Sequence, residues 1–332
     1  MKKSALYLFF SLFYFSTLQA QYVSSNAASA LAIQNRILLV GLAEANPDDL
    51  LLFQDQPKNI EGYYVSIEGK NQALKNAVTD CWKFSNNIQY LPLKQAQKLM
   101  KTEKDKYALL HFEDSGISGN WMYSDNKIER PAPFTWKKKD GTLIYDNEAR
   151  SAIENLTIGS LVIDLPKKAI EIPLPIAYPS EGDLINAIQE MQFTLNYLLV
   201  PERSINQFHK ETYQRADRLK TKILLIDSRD LSYKLKKVNL STLYPYAVRV
   251  VPYDVIEKAL KEKDNHYAIV TIARYDPSNS IHTITDAADG NVYYYKTFLT
   301  YEHGNQIGMV ALTVWPFGVT QDQLTDYAVG TK

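Results

Sequence analysis

Three features of this 332-residue chain predict an α/β (or α+β) fold of two related domains: a self-matching block, strand-like apolar runs, and helices with one apolar face. Residues 90–112 and 250–272 match without a gap at a constant offset of 160. Pro92 meets Pro252, Lys98 meets Lys258, Lys101 meets Lys261, and Tyr107-Ala108 meets Tyr267-Ala268. Each copy reads as strand end, helix, charged turn, strand. An internal duplication is therefore expected, each half forming a small mixed sheet with helices and a terminal hairpin.

Each half opens on a β-rich run, Ile37-Leu38-Leu39-Val40 in the first and Ile223-Leu224-Leu225-Ile226 in the second. Here the offset is 186, so the first half carries about 26 extra residues before the matched block. A rival register sets Ile67-Glu68-Gly69-Lys70 against Ile226-Asp227-Ser228-Arg229. Asn46-Pro47-Asp48-Asp49 marks a helix start over 47–53: a capping Asn, Pro at the first helical position, and two acids at the positive end of the dipole. The extra residues suggest a strand over 63–67 and a helix over 71–84. In that helix Leu74, Val78, Cys81 and Trp82 share one face, and Lys75, Asn76, Thr79, Asp80 and Lys83 take the other. Cys81 and Trp82 are accordingly expected in the core.

In the matched helices Ala96, Leu99 and Met100 correspond to Ile256, Ala259 and Leu260, one apolar face in each. The following runs, 107–112 and 267–272, are apolar at nearly every position, as in central strands covered on both sides. Asp140-Gly141 and Asp289-Gly290, each between strand-like runs, predict hairpins over 134–146 and 281–295, because both central residues of such a turn take positive φ. Ser180-Glu181-Gly182-Asp183 resembles a capping box. It starts a helix of about 17 residues whose apolar face carries Leu184, Ala187, Ile188, Met191, Leu195 and Leu198, ending before Pro201. Residues 202–220 are charged and weakly periodic, a connector. The expected layout is a leader at 1–20, a first domain at 21–178, a helical connector at 179–220, and a second domain at 221–332.

The leader follows from Lys2-Lys3, an apolar run of about 14 residues, and Leu18-Gln19-Ala20 before Gln21, which is the layout of a secretory signal cut after Ala20. The run falls short of the roughly 20 residues that span a bilayer, so no transmembrane segment is expected in the mature chain. Loss of the leader removes two lysines and no acids, leaving 35 basic against 37 acidic residues. A net charge of −2 disfavours nucleic acid as a partner. Cys81 is the only cysteine, so no intrachain disulfide can form and the fold must rest on its core. The 23 tyrosines include Tyr63-Tyr64 and Tyr293-Tyr294-Tyr295, which suit half-buried sheet surfaces.

Familiar catalytic signatures are missing: there is no His-Glu-x-x-His, no glycine-rich phosphate loop and no Gly-x-Ser-x-Gly elbow. His111, His209, His266, His282 and His303 stand singly, so neither a metal nor a cofactor is expected. Asp286 to Asn291 hints at an acidic calcium loop, but lacks the later glutamate and reads as a hairpin turn. The remaining candidate is positional. Ligands of open α/β sheets sit beyond the carboxyl ends of strands, and the first copy ends in His111-Phe112-Glu113-Asp114 where the second has Thr271-Ile272-Ala273-Arg274. An imidazole with two carboxylates can exchange protons or hold a cation. His111, Glu113 and Asp114 are thus the candidate ligand-binding residues, and no catalytic residue is assigned.

Ile67-Glu68-Gly69-Lys70-Asn71, followed by Ala77-Val78 and Trp82-Lys83-Phe84, with Tyr107-Ala108 after a Lys/Asp-rich turn, resembles exported proteins of Bacteroidota type whose activity is unassigned. The resemblance covers about residues 36–115 and, more weakly, the second half. It implies a periplasmic or secreted address and imports no activity. The expectation is an exported, non-enzymatic binding or accessory protein of the bacterial envelope, partnered by envelope proteins or a small ligand. The alternatives are a hydrolase-type enzyme without a signature and a structural subunit of an envelope assembly.

Overall fold

The computed structural model describes residues 26–52, 57–116, 136–137, 143–144, 157–175, 179–276, 279–299 and 318–329. It is an α/β chain of two similar domains, each built on a five-stranded mixed sheet. The first domain runs α1 Ala27–Asn35, β1 Ile37–Leu42, α2 Pro47–Leu52, α3 Pro57–Cys81, β2 Ile88–Pro92, α4 Leu93–Thr102, β3 Tyr107–Gly116, the short strands β4 Trp136–Lys137 and β5 Leu143–Ile144, β6 Thr157–Asp164 and β7 Lys168–Pro173. Then come α5 Glu181–Leu198, α6 Ile205–Arg215, β8 Ile223–Asp227, β9 Val248–Val251, α7 Tyr253–Lys261, β10 Tyr267–Asp276, β11 Asn279–Asp286, β12 Val292–Leu299 and α8 Gln321–Val329.

The strand orders are β2-β1-β3-β6-β7 and β9-β8-β10-β11-β12. Three parallel strands are followed by two antiparallel ones in each. The registers agree residue by residue: Leu38 lies opposite Ile88 and Ala108, and Leu224 lies opposite Val248 and Ala268. These partners stand at the offsets of 186 and 160 read from the sequence. Both β3 and β10 are the central strands of their sheets. The closing helices also match. Ser180 accepts from the Asp183 amide at 3.1 Å while its own amide donates to Asp183 Oδ2 at 2.9 Å, and the Thr320 amide donates to Gln323 Oε1 at 2.9 Å.

Alternating side chains divide each sheet into two faces. In the first sheet Leu38, Val40, Ala108, Leu110, Leu161 and Ile163 pack with Leu74 and Val78 of α3 and with Leu184, Ile188 and Met191 of α5. On the other side Leu39 and Leu109 pack with Ala96 and Met100 of α4. In the second sheet Leu224, Ile226, Ala268, Val270 and Ile284 pack with Leu324 and Tyr327 of α8. Its opposite face, with Leu225 and Ile269, joins α7 and the same core as α5. Helix α5 thus lies between the sheets: its apolar stripe serves the first domain, while Asn186 and Gln189, also buried, face the second.

Some expectations need correction. Residues 63–67 are helical, part of α3. Their alternation of apolar residues is outweighed by a helical stripe, since Tyr63, Leu74, Ala77, Val78 and Cys81 are buried while Tyr64 and Val65 are exposed. That placement removes the rival register. Helix α3 stops at Cys81 rather than 84, although the Trp82 amide still donates to the Val78 carbonyl at 2.9 Å. Residues 202–220 hold a regular helix, α6, capped by Ser204, whose hydroxyl accepts from the Gln207 amide. Strands β4 and β5 do pair across Asp140-Gly141, but those two residues lie outside the described ones. The hairpin equivalent to β11–β12 is β6–β7; residues 117–156 stand where the second domain has only 277–278 between its long strands.

Candidate functional site

His111, Glu113 and Asp114 lie within β3 rather than at its tip. Pairing with parallel β1 stops at Val40 and Leu110, but antiparallel β6 goes on bonding β3 as far as Gly116 opposite Thr157. Only the last part of β3 therefore resembles the open strand end assumed from the sequence. Asp114 enters through its backbone, opposite Gly159, and its side chain lies outside the described residues.

His111 is buried on the α4 side of the sheet, 8% exposed. Gly41 on β1 leaves room for it: a Cβ there would stand 3.3 Å from His111 Cβ and 2.7 Å from Leu93 Cδ1. The His111 ring is held at both nitrogens, Nε2 lying 3.0 Å from Asp164 Oδ2 and Nδ1 2.9 Å from the Phe112 carbonyl oxygen. Both partners are acceptors, so both ring nitrogens are satisfied only in the imidazolium form. Burial opposes that charge, yet the Asp164 hydrogen bond, the Phe112 carbonyl and the nearby carboxylates outweigh it. The pKa is raised above the ordinary histidine value.

Glu113 is ion-paired with Lys168, whose ammonium also lies 3.2 Å from Glu171 Oε2. Burial weakens the Lys168 charge, but hydrogen bonds and fields from Glu113 and Glu171 more than restore it, raising its pKa. The structure thus assembles His111, Glu113, Asp164, Lys168 and Glu171, of which the sequence reading named two. Asp164, Lys168 and Glu171 were missed because the first hairpin was placed at 134–146. The alternation of Ile170, Ile172 and Leu174 after Pro166 was the available signal.

At the equivalent positions of the second sheet, Thr271 and Thr285 replace His111 and Asp164. Asn186 of α5 joins them, donating to Thr271 Oγ1 at 3.1 Å and accepting from Thr285 Oγ1 at 2.7 Å. What is an ionic pair in one domain is a neutral packing contact in the other.

One further polar chain lies in the second domain. Ser280 Oγ lies 3.2 Å from His282 Nε2, and His282 Nδ1 lies 2.6 Å from the Tyr327 hydroxyl. The order suggests a nucleophile and base, but His282 is 1% exposed and burial lowers its pKa to about 3. An imidazole that weakly basic is a poor proton acceptor at neutral pH. The chain ties β11 to α8.

Among the described residues no group of three or more His, Cys, Asp or Glu side chains is arranged to hold a metal ion, and no helix is long and apolar enough to cross a membrane. Comparison with protein-family models, curated proteins and solved structures finds no match to this chain.

Proposed function

We propose that the protein is an exported, non-enzymatic binding or accessory protein of the bacterial envelope, built by duplication of one domain, and that its first domain contacts a charged partner through the His111 face. One observation carries this reading: equivalent sheet faces are neutral and used for packing in the second domain, but ionic in the first. Taking charges out of water is expensive, and a neutral pair would suffice if packing were the only requirement. The ionic groups also reach solvent, with side chains of Glu113 at 38%, Asp164 at 31% and Lys168 at 28% exposure. A charged partner can therefore meet the exposed parts of Glu113, Asp164 and Lys168 without opening the core. Constant offsets with matching registers support the duplication, and the leader supports export.

The test is affinity capture from solubilised bacterial envelope with the immobilised mature chain and its His111→Ala/Glu113→Ala variant. A partner held by the wild type and lost by an equally folded variant is the expected result. Full retention by the variant would remove the His111 face from the binding surface.

A further inference from the structure

Away from the His111 face, an open polar cleft of about 320 Å³ lies where α3, β2 and the start of α5 meet. This volume is at the lower end of the range of small-molecule sites, roughly 300–1,000 Å³. Its α3 wall takes Lys75, Asn76, Thr79 and Asp80 from the polar face read in the sequence and adds Gln72. Tyr90 and Glu181 complete it from β2 and α5.

These groups are held by one another. Gln72 Nε2 donates to Asn76 Oδ1 at 2.8 Å, Asn76 Nδ2 donates to Glu181 Oε2 at 3.2 Å, and Thr79 Oγ1 lies 3.2 Å from the Tyr90 hydroxyl. The second domain closes the cleft's border: Lys263 Nζ donates to the Asp80 carbonyl at 2.9 Å, and Lys261 Nζ lies 3.8 Å from Glu181. The wall is thus anchored on both domains.

Its chemistry narrows the ligand. Lys75 is the one lysine in the lining, beside Asp80 and Glu181, and Lys261 and Lys263 on the border are already engaged by Glu181 and the Asp80 carbonyl. No cluster of free cations is therefore offered to an anion, and an apolar ligand would find no aliphatic wall. A cation would need several converging acceptors, whereas the amides and Lys75 offer donors among them. Alternating donors and acceptors beside one aromatic ring suit a molecule that gives and takes hydrogen bonds through many hydroxyls. We infer that the cleft binds a saccharide, one or two sugar residues in extent.

Saturation-transfer NMR on the mature chain tests this, with glucose, galactose, mannose, N-acetylglucosamine and their disaccharides as probes at millimolar concentration. At least one sugar should receive saturation. Asn76→Leu should weaken its binding by about tenfold or more through lost hydrogen bonds. Thr79→Leu, at an exposed position, should weaken it too and decides the matter if Asn76→Leu unfolds. The His111→Ala/Glu113→Ala variant should bind the sugar normally, which separates this site from the proposed partner face. No transfer to any sugar, or transfer undiminished in the folded α3 variants, overturns the inference.

Discussion

His111 on β3 and Asp164 on β6 are joined by a 3.0 Å ionic hydrogen bond, and the two residues that take their places in the second sheet, Thr271 and Thr285, are joined only through Asn186. The same pair of ladder positions therefore holds charge in one domain and receives the neighbouring domain's helix in the other. That difference gives the two halves different physical behaviour. In the second, stability at this point depends on α5 being docked; in the first, it depends on protonation.

The His111 pair should make the first domain sensitive to alkali. Its folded pKa is raised, so its stabilisation is fully present below the unfolded value of about 6.5 and is lost as pH rises through the folded value. His111→Gln should cost about 1.5–3 kcal/mol near pH 5.5, the range for hydrogen bonds to charged groups, and clearly less near pH 9. Urea unfolding at the two pH values measures the difference. Equal losses would mean that the ring is not charged in the folded protein.

His282 predicts the opposite trend. Burial holds its folded pKa at about 3, so the unfolded chain takes up the proton first and stability falls as pH drops from about 6.5 toward 3. His209, lowered to about 4 by burial and then by Arg215, adds in the same direction. His282→Gln should be less stable at pH 7 by about 1–3 kcal/mol, because the Tyr327 hydroxyl loses its partner. It should also flatten the acid limb of a plot of melting temperature against pH. An unchanged acid limb would show that another group controls it.

Trp82 is 4% exposed, packs edge-on against Phe84 with ring centroids 5.9 Å apart, and donates from Nε1 to Ser85 Oγ at 3.0 Å. Trp82→Ala should cost about 3–5 kcal/mol in chemical denaturation, as deletion of a large buried aromatic does. A loss below about 1 kcal/mol would show that the surrounding core closes over the gap.

The fold was legible where local pattern and tertiary demand coincide. The stripe of Leu74, Val78, Cys81 and Trp82 is buried, as are Ala96 and Met100 and their counterparts Ile256 and Leu260. The strand over 63–67 misled because β-branched and aromatic residues also fill a helix whose inward positions fall seven apart, as Tyr63, Lys70 and Ala77 do. Two of the five residues of the candidate site were legible: His111 and Glu113 are two apart in one strand and so share a face. Their partners Asp164 and Lys168 come from a hairpin reached only after residues 117–156, and although its strands alternate, nothing local says that it pairs with β3. Asn186 was hidden in a different way. It sits opposite the apolar stripe of α5, where a polar residue normally faces water, and only the second sheet buries it.

The proposed export predicts a defined amino terminus. The small residue Ala20 closes the apolar run, so the protein recovered from the envelope or medium should begin at Gln21. Intact-mass spectrometry reads this directly, and a product retaining residues 1–20 would remove the argument for an exported address.

Gly290 is where the β11–β12 turn meets α5. It takes φ +68°, while no other residue of the turn has positive φ, so the turn is wider than the two-residue hairpin that Asp289-Gly290 suggests. The Asp286 amide donates to the Asn291 carbonyl at 2.9 Å, and the Gly290 amide donates to the Asp286 carbonyl at 3.0 Å. A Cβ on Gly290 would come within 2.4 Å of the Gln189 carbonyl carbon and 2.6 Å of the Glu190 nitrogen, both backbone atoms in the middle of α5. Left-handed backbone alone costs a side-chain-bearing residue about 1–2 kcal/mol. The clash adds to this, because a helix backbone cannot turn aside as a flexible side chain can. Gly290→Ala should therefore lose more than about 2 kcal/mol. It should also speed hydrogen exchange at the turn and along the α5 face bearing Asn186 and Gln189, since moving the turn breaks the bond from Gln189 Nε2 to the Ala288 carbonyl. Exchange confined to the turn, with α5 as protected as in the wild type, would mean that this contact does not hold the two domains together.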